Sequence, residues 1–162
     1  MNRAVRRSLK FLHTLGAVGL MGGMAALALA LVVAPGVDGG AGSVLLMQAM
    51  AKIAAWLLMP SMTLTVTAGL LAIAVNPALH EAGWAWAKAA TGILIFEGAL
   101  HVIGPIQEAA KRGAGVLDSA GDPAALARLV ASERNTLWVL LAVSAANIAV
   151  GIWRPRLGSG SA

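Results

Sequence analysis

Apolar residues fall along the chain in four long blocks, parted by short stretches rich in glycine, proline or charge. A helix that crosses a hydrocarbon core about 30 Å thick needs about 20 consecutive apolar residues. On that measure the pattern predicts spans from Leu12 to Val33, Val44 to Val75, Trp84 to Gln107 and Thr136 to Trp153. The expected fold class is all-α: an integral membrane four-helix bundle running up and down, as a single transmembrane domain over 1–157 with a flexible tail over 158–162. Pro35 and its neighbouring glycines end the first span and force an antiparallel return. Pro60 lies inside the second block, removes a backbone donor there and predicts a kink. In the third loop Asp122 and Pro123 have the N-cap and first-position signature of a helix, followed by Leu126, Leu129 and Val130 at helical spacing. A short amphipathic helix is expected there, running into the fourth span.

Composition narrows the class further. Charged residues make up 12% of the chain, against about 25% in soluble domains, and apolar residues 59%. The charge-free run from Phe11 to Val37 far exceeds the roughly 7–15 apolar residues of a cleaved secretory signal, so the first span reads as a retained anchor. Without a single cysteine, the chain offers neither disulfides nor thiolate ligands. The net charge of +5 is gathered beside the apolar blocks, where it sets topology and does not point to nucleic acid. Arg3, Arg6, Arg7 and Lys10 before the first span, Lys88 early in the third, and Arg154 and Arg156 after the fourth share one side. By the positive-inside rule that side is cytoplasmic, which places both termini in the cytoplasm of a multi-pass protein of a bacterial inner membrane.

Few polar residues remain inside the spans, and each costs at least about 2.5–3.5 kcal/mol if charged at mid-bilayer, so each is a functional candidate. His13 and Lys88 both start outward-running helices and can meet near the cytoplasmic boundary, with His80 and Glu81 in the loop on the same side. Glu97 and His101 lie one turn apart on the third span, share a face and can pass a proton. Counting about 1.5 Å per residue brings Lys52 and Asn147 to a depth comparable with Glu97, so a Lys52–Glu97 contact is expected, with His101 and Asn147 as further partners. Gly16, Gly19 and Gly23 make one flat helix face. That face admits either another helix at close range, in this chain or in a homodimer, or a planar cofactor such as a porphyrin. Imidazole is a frequent axial ligand of haem iron, which makes His13 and His101 the candidate metal ligands. The two lie at different depths, so one haem is not expected to take both from one chain. Hydrolase and kinase motifs are absent from the sequence.

Three stretches, KFLHTLGAVGLMGG, MPSMTLTVTAGL and WAWAKAATGILIFEGALH, together resemble small four-helix bacterial inner-membrane proteins. That group includes the membrane-embedded protoporphyrinogen oxidases and the membrane subunits of copper-resistance systems. The resemblance implies a haem b protein in which a first-span histidine and a third-span lysine matter, and these map to His13 and Lys88. The oxidases' Pro-Arg-Leu and Tyr-His pairs are missing and the chain has no tyrosine, which points to a sister branch. The combined expectation is a haem b-binding redox protein, an oxidoreductase that passes electrons or protons between a quinone, a porphyrin or a periplasmic partner. In it His13 is the axial ligand, Lys88 orients a propionate beside the glycine wall, and Glu97 with His101 relays protons. The alternative is a membrane subunit or a small solute or ion transporter built on Lys52, Glu97, His101 and Asn147.

Overall fold

The computed structural model describes residues 3–33, 41–115 and 123–153, and every element among them is helical. Six α-helices follow in order: α1 (Arg3–Val33), α2 (Ala41–Ile53), α3 (Met59–Ala74), α4 (Pro77–His80), α5 (Gly83–Gly115) and α6 (Pro123–Trp153). A backbone that satisfies all its hydrogen bonds internally is what hydrocarbon demands, and a helix does so within one segment. Four segments are long and apolar enough to cross a membrane: Arg3–Val33, Leu45–Ala74, Gly83–Glu108 and Ser132–Trp153. The protein is thus a multi-pass bundle suited to a lipid bilayer. Its outer surface agrees, because Val18, Leu29, Trp56, Leu94, Val139 and Trp153 all stand more than half exposed.

The second span is one continuous rod with a local defect. Between α2 and α3 the residues Ala54–Leu58 form a π-helical turn, and the Met59 N–H reaches back five residues to Ala54 O. The cause is Pro60, which follows at once: it has no N–H to donate, and its ring presses on the carbonyl one turn earlier. Widening the preceding turn absorbs the misfit. The expected kink therefore takes the form of a π bulge. The helix of the third loop is also not separate, since α6 runs unbroken from Pro123 through the fourth span. Asp122, the side chains of Leu126, Leu129 and Val130, residues 154–157 and the tail lie outside the described residues.

Neighbours in the bundle follow the chain around a square. α1 packs on α3 and α6, α5 packs on α6, and α2 packs on α5. Close packing is concentrated toward the end remote from the amino terminus, where Met24, Leu27, Leu31, Met50, Val102, Ile106 and Leu137 are fully buried. In lipid the burial itself adds little drive, so interdigitation of such side chains is what holds the helices. Toward the amino-terminal end the same four spans leave a cavity between them.

Candidate functional site

The cavity has a volume of about 1100 Å³, above the roughly 300–1,000 Å³ of typical small-molecule sites. Its body is apolar, with Leu20, Met21, Met62, Ile95 and Phe96 among the walls. Its polar lining is one-sided. Arg3, Arg6, Arg7 and Lys10 stand at the edge formed by the first turns of α1, and His13 and Lys88 lie deeper. No carboxylate lines it among the described residues. An apolar chamber lined by cationic groups and, among the described residues, no acid is chemically suited to an apolar molecule with an anionic head.

Two notches hold the deeper basic groups. On α3, the His13 ring sits with Nδ1 2.8 Å from Thr65 O. A carbonyl only accepts, so Nδ1 carries the proton, and in the neutral ring Nε2 keeps its lone pair. Thr65 disposes of its own hydroxyl one turn back, on Ser61 O at 2.7 Å, and leaves its carbonyl to the imidazole. The residue one turn further on is Gly69, where an added Cβ would come 3.1 Å from His13 Nδ1 and 3.2 Å from Cε1. On α6, the Lys88 ammonium donates to Asn147 O at 3.1 Å. One turn beyond is Gly151, where an added Cβ would come 2.7 Å from Lys88 Nζ. Both sites obey one rule: a helix carbonyl is open to a neighbouring helix's side chain because the residue four positions later has no Cβ to cover it.

A third feature lies beside Lys88. Hydroxyls in these spans generally bond the carbonyl one turn back, as Thr14 does on Lys10 O, Thr63 on Met59 O and Thr91 on Ala87 O. Ser144 does not. It is 5% exposed, it lines the cavity, and its Oγ has no partner, as is true of Asn147 Oδ1. A buried polar atom without a partner costs about 1–3 kcal/mol; Ser144 Oγ can donate or accept, whereas Asn147 Oδ1 can only accept.

The structure brings His13 and Lys88 to one chamber, as their shared end of the bundle requires, and separates the other candidates. Gly16, Gly19 and Gly23 face the second span of the same chain. A Cβ on Gly16 would lie 2.8 Å from Ser61 O, one on Gly19 would collide with Ser61 Oγ, and one on Gly23 would lie 3.1 Å from Leu58. The face is filled by a helix, leaving room there neither for a planar cofactor nor for a second copy. His101 and Glu97 do not line the cavity; they are exposed on the outside of α5. His101 therefore does not share a metal site with His13, and the pair stands apart from any cofactor in the chamber. The expected Lys52–Glu97 contact is not formed: Lys52 is exposed and pairs with no described acid. Asn147 lies level with Lys88 and not with Glu97, because α6 begins far before Thr136 and shifts the count along the helix. His80 and Glu81 are exposed, the former offering only its backbone oxygen, to Trp86 Nε1 at 2.9 Å. Among the described residues no three His, Asp or Glu gather as a metal site.

Sequence reasoning missed Gly69, Gly151 and Ser144. The available signal was a glycine four positions after Thr65 and another four after Asn147, but it acquires meaning only when a neighbouring helix is known to face it. Comparison of the chain with protein-family models, curated proteins and solved structures finds no match.

Proposed function

We propose that this protein binds an apolar, carboxylate-bearing molecule in the amino-terminal cavity, that the molecule is haem b, and that the protein serves electron transfer in a bacterial inner membrane. The observation that carries this reading is the pair of glycine notches, which present an imidazole and an ammonium to one acid-free chamber. A metal-binding histidine typically donates its second ring nitrogen to a carbonyl or carboxylate, which fixes its tautomer, and Thr65 O does this for His13. The arginines of α1 suit a carboxylate at the chamber's edge and Lys88 one that reaches deeper, where Ser144 Oγ supplies a further hydroxyl donor. The donor set thus fits a porphyrin with acidic side groups: His13 would hold the iron, and Lys88 would orient a propionate. Bound there, haem b would supply one-electron redox chemistry toward a quinone or a periplasmic partner. The chain's own contribution is to bind, to orient and to keep water from the chamber. With Arg3, Arg6, Arg7, Lys10 and Lys88 at one end, the positive-inside rule puts that end, and both termini, in the cytoplasm.

The test is an absorption spectrum of detergent-purified protein from haem-replete cells, oxidised and dithionite-reduced, with pyridine haemochrome stoichiometry. Near one haem b per chain, lost in His13→Ala, supports the reading. Colourless protein overturns the haem assignment, and organic extracts that also lack an acidic amphiphile overturn the anion-binding site itself.

A further inference from the structure

Glu97 and His101 are left without a task by the cavity, and their surroundings are unusual. Among the residues of α5 whose exposure is described, Gly83, Trp86, Ala90, Ile93, Leu94, Glu97, His101, Gly104 and Glu108 are exposed; apart from the adjacent Ile93 and Leu94 they recur at intervals of three and four and form one stripe down the helix. Elsewhere the outer surface of the spans is carried by residues such as Val18, Leu29 and Val139. At the centre of this stripe stand an acid and an imidazole, 65% and 73% exposed. With 1.5 Å per residue, Glu97 lies about 21 Å along a span about 39 Å long, hence near mid-bilayer.

Within one chain this acid is poorly served. Its Oε1 is 3.9 Å from His101 Nδ1, beyond hydrogen-bond range, because Nδ1 is bonded to Glu97's own backbone oxygen at 2.9 Å. That bond leaves Nε2, the far atom of the ring, for something outside the helix. Glu133 on α6 acts on His101 electrostatically, but Glu97 has no hydrogen-bond donor among the described residues. A polar pair facing hydrocarbon at this depth marks a helix interface.

We propose that the stripe is the contact surface of a homodimer, in which α5 of two copies pack in parallel and Glu97 of each copy bonds to His101 Nε2 of the other. Copies inserted with one topology are related by an axis along the membrane normal, so α5 meets α5 at equal depth. Acid and base lie four residues, about 6 Å, apart on one face, so in the parallel pair each carboxyl reaches one turn along the axis to the other copy's imidazole, and the two-fold makes that contact twice. A different partner would need a matching acid and base at the same depth. Gly104 permits the approach, since an added Cβ there meets nothing within 4 Å in the isolated chain. This inference rests on the bilayer-spanning fold and is independent of what fills the cavity.

The chain has no cysteine, so single introduced cysteines report proximity directly. Ala90→Cys and Leu94→Cys on the stripe, and Val139→Cys on the exposed face of α6 as control, are oxidised with copper phenanthroline in native membranes. The stripe variants give a disulfide-linked dimer of this chain and the control does not. Added to Leu94→Cys, Gly104→Leu, whose Cβ meets nothing within 4 Å in the single chain, lowers the cross-linked fraction at least about fivefold. Glu97→Ala lowers it similarly and Glu97→Gln, whose amide N–H can donate to Nε2, retains more of it. Cross-linking no greater than at Val139, indifference to Gly104→Leu, or capture of a different protein in place of a second copy overturns the proposal.

Discussion

The substitution Gly69→Ala probes the imidazole notch with the least disturbance. The new methyl would lie 3.1 Å from His13 Nδ1 and 3.2 Å from Cε1, a few tenths of an ångström inside the ordinary contact distance of about 3.5 Å. The ring must yield by about that amount, which lengthens its 2.8 Å bond to Thr65 O and loses part of the roughly 0.5–1.5 kcal/mol such a bond contributes. In water the exchange would return up to about 1 kcal/mol of helix propensity. In a bilayer little of that is realised, because spans are helical before they associate. The net cost is therefore below about 1 kcal/mol, or a fall in Tm of at most about 2–4 °C for a chain of this size. Removing the ring removes the conflict, so in a His13→Ala background Gly69→Ala should be neutral. The double-mutant cycle is read from thermal unfolding in detergent, followed by circular dichroism. A drop of ten degrees or more, or an equal drop with and without His13, would show that Gly69 serves helix packing and would refute the notch. An unchanged cofactor affinity in Gly69→Ala would show that His13 does not need its present position.

The remaining predictions concern the other glycines and Lys88. Gly16→Ala places a methyl 2.8 Å from Ser61 O and Thr65 N, both backbone atoms, so α1 and α3 must part and Tm should fall by several degrees, whereas Gly22→Ala, with nothing within 4 Å, should leave Tm unchanged. Equal effects of the two would sink the assignment of the glycine face to packing. Lys88→Met should weaken the bound anion by roughly 10- to 100-fold, the range set by about 1.5–3 kcal/mol for a charge-assisted bond, and Gly151→Ala should weaken it in part by displacing the ammonium. Titration of the purified protein with haem or an acidic amphiphile measures both. Gly92 lines the cavity and its added Cβ meets nothing, so Gly92→Leu should intrude on the chamber, weaken binding and leave Tm within a few degrees of wild type. Binding unchanged by this substitution places the ligand elsewhere.

Much of the architecture was legible before any coordinate. The lengths of the apolar blocks and the proline and glycine between them determined four antiparallel spans, since hydrocarbon admits few other backbones. Charge beside those blocks placed His13 and Lys88 at one end, and the cavity lies at that end. What the sequence left open was rotation and register. Spacing shows which residues share a helix face but not what the face turns toward, and in a membrane protein the usual guide is weak because lipid and core are both apolar. Gly16, Gly19 and Gly23 therefore read either as a cofactor wall or as a helix seat until Ser61 and Leu58 were seen against them. Glu97 and His101 read as an interior relay until α5 turned them outward. Asn147 was misplaced in depth because the start of α6 is set by the loop before it and not by the apolar block. The sequence by itself determined how many helices there are, their direction and their charged end; only the tertiary structure decided which glycine opens which carbonyl, because that depends on a neighbour far away in the chain.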